Sequence, residues 1–349
     1  MFRVLRAVAG KFRDFRVGIG GRYSRPIRDR REGNGLKRAG RALAAPGSMK
    51  SLGREIARNK YIYLILLPGL LYYAVFNYAP MYGIQLAFKD FRASAGIWGS
   101  PFVGLKHYEY IFQDQDFWRA FKNTIIISFS RILFQFPVPI VLALLLNELR
   151  EGKYKKTLQT IFTFPNFLSW VIVSGMVLNV FGSEGAVNHF LSLFGVSEQM
   201  FMANQDLFRP LIYISDIWKS AGWTAIIYLA TIASISPELY EASYMDGANR
   251  FQRMLYITWP GIRSAVVLML LLSVGNTMNA GFDQIFNMYN PAVLPVSDIL
   301  DTYIYRITFQ TSGDFGFSTA VGLFKSLINF VLLIVFDRLA KAVGERGIF

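Results

Sequence analysis

From Tyr61 onward the chain alternates long apolar runs with shorter polar connections. A bilayer core of about 30 Å takes roughly 20 mostly apolar residues in a helix. Six stretches meet that length, near Tyr61–Met81, Thr124–Leu146, Leu158–Phe181, Leu211–Ile235, Ile262–Phe282 and Ser318–Phe336. Pro68, Pro137, Pro139 and Pro165 fall inside them; such prolines act as kinks, because neighbouring helices can satisfy the carbonyls they free. The pattern predicts an all-α membrane protein, a polytopic bundle of six transmembrane helices.

One connection breaks the rule that loops are bland. Between the fourth and fifth runs stands ELYEASYMDGANRFQRMLYITWP, Glu238 to Pro260. Pro237 presets φ and Glu238 suits the positive end of a helix dipole. Leu239, Ala242, Tyr244 and Met245 give an apolar side, and Asp246-Gly247 permits a left-handed turn. A second piece, Asn249 to Ile257, leads to Pro260 with Phe251, Leu255 and Trp259 at i, i+4, i+8, and Pro260 is expected to end it and to start the next span. Two short helices at an angle make a rigid knob, which suits a partner's groove. The alternative is an amphipathic loop resting on lipid. Against it, Glu238, Glu241 and Asp246 outnumber Arg250 and Arg253, the wrong balance for an anionic leaflet.

Charge orients the bundle. Residues 1–60 hold 17 Lys/Arg and 4 Asp/Glu, so nearly all of the net +14 lies in this arm. That distribution describes a membrane protein with a basic arm rather than a nucleic-acid binder. The arm lacks the sustained apolar core of a signal peptide, and its Arg, Gly and Pro content reads as a solvated segment. With the amino terminus in the cytosol, the inside segments carry 27 Lys/Arg in 110 residues and the outside segments 7 in 107. Positive charge stays inside, so both termini and the 236–260 loop face the cytosol. The domains expected are therefore the arm 1–60 and a six-span unit 61–349. The largest outside segment is too short for its own core and is expected to cap the spans, with YEYIFQDQDFWRAF as one interfacial aromatic helix.

Polar groups inside apolar runs are costly, so they normally face a cavity or a partner. Arg131, Asp216, Lys219 and Lys325 are such groups. Asp216, Lys219 and Trp223 lie at i, i+3, i+7 on one face of the span before the knob; Ser273, Asn276, Thr277 and Ala280 share a face of the span after it. Hydroxyls, amides and an indole suit a sugar, whose hydroxyls need hydrogen bonds and whose ring face stacks on an aromatic plane. Lys219 and Lys325 would suit an acidic sugar such as a uronate. The competing reading is structural: Asp216 and Lys219 neutralise each other, while Asn276 and Thr277 bond neighbouring helices. Cysteine is absent and the two histidines, His107 and His189, stand far apart in connecting segments, so a metal site is not expected and both histidines read as surface residues.

The knob resembles the EAA loop of binding-protein-dependent ABC importer permeases: E-A-A, two residues, D-G-A, eight residues, I-x-L-P. Here it reads Glu241-Ala242-Ser243, Asp246-Gly247-Ala248, then Ile257-Thr258-Trp259-Pro260, with Ser243 for the second alanine and Trp259 for leucine. FVGLKHYEYIFQDQDFWRAFKNT, Phe102–Thr124, is similar to a segment of the maltose-type, carbohydrate-importing branch. YNPAVLPVSDILDTYIYR and the ending GERGIF resemble permeases for polysaccharide-derived oligosaccharides. The large outer insertion that maltose-type permeases can carry is absent.

The resemblance implies a bacterial cytoplasmic-membrane permease, surrounded by lipid. It would pair with a second EAA-type permease, two cytosolic ATPase subunits and an extracytoplasmic solute-binding protein, and carry a sugar or oligosaccharide. Glu241, Ala242, Ser243, Asp246, Gly247, Ala248, Ile257 and Pro260 would couple it to the ATPase. No G-x4-G-K-[ST] occurs, so the chain lacks that phosphate cradle; ATP and Mg belong to the partners, and no cofactor is expected here. A secondary transporter of a small polar solute is the alternative, but such proteins ordinarily show internal repeats and broken helices in matching halves. An intramembrane enzyme would need a cluster of acid–base or nucleophilic groups, which two isolated histidines do not provide.

Overall fold

The computed structural model describes residues 59–311 and 313–342; most of the basic arm lies outside them. Contacts divide the chain into two units, Met1–Val75 and Phe76–Phe349. In the first, helix α1 (Lys60–Tyr73) contains Pro68 and buries no residue. Tyr61, Ile65 and Leu71 all stand exposed, as in a helix that is apolar all round and meets lipid or another chain.

The second unit is helical, and its described residues form no strand beyond a single bridge between Lys89 and Phe102. Helix α2 (Lys106–Gln113) is followed at once by α3 (Gln115–Ser130). Asp114 separates them because its carboxylate accepts from the Asp116 and Phe117 amides at 2.7 and 3.4 Å, capping α3. The aromatic stretch expected as one helix is thus two. His107 also departs from expectation: it is buried, with Nε2 3.1 Å from the Lys89 carbonyl, while His189 is exposed.

The second span continues from α3 through a π turn, Arg131–Gln135, into α4 (Pro137–Asn147). Pro137 and Pro139 have no N–H to give, and the ladder slips one residue just before them: the Phe136 amide reaches back to the Arg131 carbonyl at 3.3 Å. The expected third span, Leu158–Phe181, is not continuous. Helix α5 (Lys153–Thr163) passes into a 3₁₀ turn at Phe164–Phe167, the backbone extends at Leu168, and α6 (Trp170–Phe181) starts afresh. Pro165 tightens the turn, and the Ser169 hydroxyl caps α6 through the Ile172 amide at 3.4 Å.

Helix α7 (Gln205–Ile232) has 28 residues, about 42 Å at 1.5 Å per residue. Among the described residues five helical stretches are long and apolar enough to cross a membrane: Lys60–Phe88, Gln115–Asn147, Trp170–Ser192, Arg250–Gly275 and Phe315–Ala342. Helix α7, which covers most of the expected fourth span, is not in that apolar set, and it carries Asp206, Arg209, Asp216 and Lys219.

The knob contains one free-standing helix, α8 (Pro237–Met245). Gly247 then turns the chain at φ +75°. Asn249 and Gln252 form a reciprocal capping box, and Arg250–Arg253 runs through a π turn, Met254–Thr258, directly into α9 (Trp259–Gly275). Pro260 therefore does not end the second piece. It sits in the first turn of α9, where the geometry tolerates proline. The fifth span also stops short of Phe282: α9 gives way to a 3₁₀ turn at Thr277–Asn279, then to left-handed Ala280 and Gly281. Helices α10 (Phe282–Met288), α11 (Leu300–Phe309) and α12 (Phe315–Ala342) complete the unit.

Three apolar clusters hold it together. Phe117, Tyr303, Leu300 and Val321 join α3, α11 and α12; Ile127, Ile212, Ile285 and Met288 join α3, α7 and α10; Ile140, Tyr228, Ile232 and Ile262 join α4, α7 and α9. Beside the first, fully buried Asp298 accepts both Arg306 Nη atoms at 3.0 and 2.6 Å and the Thr302 hydroxyl at 2.9 Å. Hydrogen bonding to that carboxylate raises the Arg306 pKa further. The Asp298 carbonyl receives the Asn123 amide at 3.0 Å, and Arg209 reaches Asn123 Oδ1 at 2.8 Å, so α3, α7 and the 294–309 segment are clasped together.

Candidate functional site

Around α8 the chain presents side chains rather than burying them. Leu239, Tyr244, Met245, Phe251 and Tyr256 are exposed, Met245 at 85%. Glu241, Ala242, Asp246, Gly247 and Pro260 are also exposed, and Ser243, Ala248 and Ile257 are half-buried. The base of the knob is stiffened by Tyr240 Oη to Thr258 Oγ1 at 2.9 Å, by the Ser243 hydroxyl donating to the Tyr240 carbonyl at 2.8 Å, and by the Ala248 amide donating to the Ser243 carbonyl at 2.9 Å. Glu238, Glu241 and Asp246 form no ion pair among the described residues. A braced patch of apolar rings edged with unpaired carboxylates fits a partner surface that supplies a cleft and basic groups.

Inside the bundle the ionic partners differ from those the spacing suggested. Asp216 pairs with Arg131 at 3.1 Å rather than with Lys219. Lys219 donates instead to the Asn166 carbonyl at 2.9 Å, with its ammonium over the Trp170 ring at 5.5 Å. Arg131 also donates to Gln284 Oε1, and Gln284 Nε2 donates to the Ile212 carbonyl at 2.7 Å and to Ser215 Oγ at 2.9 Å. Gly281 beside this arginine takes φ +77°, the left-handed region that favours glycine, and an added Cβ would crowd the Arg131 guanidinium. Lys325 binds Asp301 at 2.6 Å and Asn279 Oδ1 at 3.0 Å.

A cavity of about 330 Å³ opens between α4, α7 and α9, with Ser220, Thr224, Ser273, Asn276, Thr277 and Arg131 among its walls. The three polar residues picked from the span after the knob thus share one cavity. Of the trio from the span before it, Asp216 and Lys219 lie away from the lining, and Trp223 packs edge-on against Phe167 at 5.7 Å. Asn276 and Thr277 also bond within their own segment, to the Leu272 and Ser273 carbonyls at 3.4 and 3.2 Å, and the Thr277 carbonyl accepts from Ser128. A second cavity of about 520 Å³ adjoins, lined by Trp170, Phe282, Asp283, Asp301, Tyr305 and Lys325 among others. Asn279 and Gly281 belong to both. The aromatic members of this larger cavity come from three helices distant in sequence, Trp170 on α6, Phe282 on α10, and Tyr305 and Phe309 on α11, so the periodicity of one element does not gather them. The only signal was the i, i+4 pair Phe282 and Phe286.

Among the described residues no three His, Asp or Glu side chains gather in a metal-binding group.

Residues 136–345 match the family described as binding-protein-dependent transport system inner membrane component. The polygalacturonan/rhamnogalacturonan transport system permease of Bacillus subtilis (strain 168) is 43% identical over 303 residues, 86% of this chain and 94% of that protein. A trehalose/maltose transport system permease of Thermococcus litoralis is 27% identical over 284 residues, 81% of this chain and 93% of that one. Among solved structures, a chain from a bacterial ABC transporter involved in import of the acidic polysaccharide alginate superposes with a TM-score of 0.78 at 36% identity, covering 84% of this chain and 99% of that one. A chain from a bacterial alginate ABC transporter in complex with an alginate pentasaccharide-bound periplasmic protein superposes with the same TM-score, 0.78, at 36% identity, covering 84% of this chain and 99% of that one.

Proposed function

The chain belongs to the binding-protein-dependent transport system inner membrane component family, an integral inner-membrane transport component, and on that premise we propose that it is one of two permease subunits of an ATP-driven importer of acidic oligosaccharides. The observation that carries this reading is the braced, exposed knob in which Glu241-Ala242-Ser243 on α8 are followed by Asp246-Gly247-Ala248 at a turn pivoting on Gly247. Glu241 meets a basic group in the groove of a cytosolic ATPase subunit, and Ile257 and Pro260 root the knob in α9. The second permease, both ATPases with their ATP and Mg, and an extracytoplasmic binding protein complete the machine; this chain holds no cofactor. Both termini lie in the cytosol, following the Lys/Arg asymmetry.

The solute passes along the cavity walled by Ser273, Asn276 and Thr277, where amide and hydroxyl groups exchange hydrogen bonds with sugar hydroxyls. Arg131, one of the cavity's walls, is paired with Asp216, and Lys219 stands apart over the Trp170 ring. Relatives named for polygalacturonan and alginate support a carboxylated cargo. A secondary transporter would not need the knob.

The test is uptake into proteoliposomes holding the full importer. Tetragalacturonate should accumulate only with ATP and binding protein, and faster than a neutral tetrasaccharide of glucose. Accumulation by this chain and its partner permease without the ATPase subunits would refute the reading.

A further inference from the structure

Lys219 is engaged within the protein itself, at the break in the third span. The residue is only 9% exposed, and its ammonium donates to the Asn166 carbonyl at 2.9 Å. That carbonyl lies in the 3₁₀ turn between α5 and α6, where Pro165 and the extended Leu168 interrupt the helical ladder. A cation suits this place, because carbonyls at the end of a helix are left without amide partners. Three residues along α7, Gly222 lets the two backbones meet, since a Cβ there would run into the Phe162 carbonyl. The break is thus seated on α7 by a charge-assisted hydrogen bond and a close backbone contact.

Beyond the break, Trp170 is the first residue of α6, and its ring centroid lies 5.5 Å from the same ammonium. Trp170 also lines the 520 Å³ cavity, together with Phe282, Tyr305 and Phe309. Those three rings brace one another, Phe282 against Tyr305 at 6.3 Å and Tyr305 against Phe309 at 5.3 Å. Trp170 packs on no other ring among the described residues. Lys219 is therefore the polar anchor of the one cavity ring that the aromatic cluster leaves unbraced.

We propose that Lys219 is a positioning residue for translocation: seated at the break, it sets Trp170 as the plane on which a sugar ring of the passing oligosaccharide rests. The inference rests on the oligosaccharide reading above and deepens it, giving the larger cavity a ring-stacking part in the path. The electron-rich face of an indole attracts the C–H face of a pyranose whether or not that ring carries a carboxylate. A cation held on the indole keeps the ring from turning away, so less rotamer freedom is lost when the sugar arrives. Lys219 does not itself receive the cargo's carboxylates. Its ammonium is buried against Asn166 and Trp170 and lies outside the cavity lining. Because Asn279 and Gly281 line both cavities, the Trp170 plane continues the space walled by Ser273, Asn276 and Thr277.

The full importer, with partner permease, ATPases and binding protein, is reconstituted in proteoliposomes. Tetragalacturonate uptake is compared in Lys219→Met, Trp170→Ala and the double variant. Each single variant should slow uptake about tenfold, the scale of one desolvated cation–π contact. Because Lys219 acts through Trp170, the double variant should be no slower than the slower single one. Lys219→Arg can still donate to the Asn166 carbonyl and stack on the indole, and should stay within about twofold of wild type. A lysine acting independently of Trp170 would slow the double variant about a hundredfold, the product of the two losses, and that result overturns the positioning role. Loss of ATPase co-purification in Lys219→Met overturns it too, since the lysine would then serve only the fold. Unchanged uptake in Trp170→Ala removes the stacking plane. Failure of the wild-type importer to accumulate tetragalacturonate overturns the oligosaccharide reading itself, and this inference with it.

Discussion

Arg131 has a side chain only 15% exposed in the middle of a span, an arrangement sustained by partners on two other helices, Asp216 and Gln284. A buried ion pair survives where hydrogen bonds satisfy what the pairing leaves over; here Gln284 accepts one such bond, while the Arg131 Nε has no partner among the described residues. At the cavity beside it, Asn276 offers both a donor and an acceptor, while Trp223 rests on Phe167 away from the lining. Asn276→Ala should therefore slow uptake about tenfold, the effect of one hydrogen-bonding group lost at roughly 1–1.5 kcal/mol. Trp223→Ala should slow it less, with stimulated ATP hydrolysis intact in both; equal uptake by Asn276→Ala and wild type would take the cavity out of the pathway. Ser273, Asn276 and Thr277 read in sequence as one helix face, but α9 ends at Gly275, and it is the turn after it that brings the last two to the cavity. The Arg131–Asp216 pair was not legible from sequence. Its members lie 85 residues apart, and local periodicity carries no information about which of two nearby cations an aspartate meets.

At the scale of elements, apolar runs located the spans while hydrogen-bond chemistry decided where helices break. Leu158–Phe181 is apolar enough to read as one span, yet Pro165 and the Ser169 cap divide it. The serine could have been recognised as a helix start, had capping been weighed against hydropathy. Conversely, Pro260 was expected to close one helix and open the next, and it opens α9 without a break before it. A proline in a first helical turn removes an amide that has no intrahelical partner anyway. The turn at Gly247 was readable because Asp-Gly is a left-handed turn pair, and its φ of +75° bears on coupling. Proline fixes φ near −65°, so Gly247→Pro should re-aim α8 and abolish ATP-driven uptake while the protein still inserts. Recovering ATPase subunits with this variant at wild-type yield, together with normal uptake, would contradict the pivot.

Across the whole chain, two surfaces face outward for different reasons. The exposed apolar residues of α1 suit lipid or another subunit, whereas the knob combines exposed rings with unpaired carboxylates and suits a basic groove. The all-α polytopic class and the family were legible from run lengths and from the spacing of one loop. The helix breaks and charge partners were not, because they depend on three-dimensional neighbours. The central claim is that this chain transmits ATP hydrolysis on other subunits to oligosaccharide passage through Glu241. The most direct measurement compares wild type with Glu241→Lys in the reconstituted importer, following ATP hydrolysis and tetragalacturonate uptake together. Reversing that charge in a groove shielded from water should cost a few kcal/mol of subunit contact, so uptake and binding-protein-stimulated hydrolysis should fall together while the permease stays in the membrane. Normal, ATP-dependent uptake by Glu241→Lys, with the ATPase co-purifying undiminished, would contradict the account.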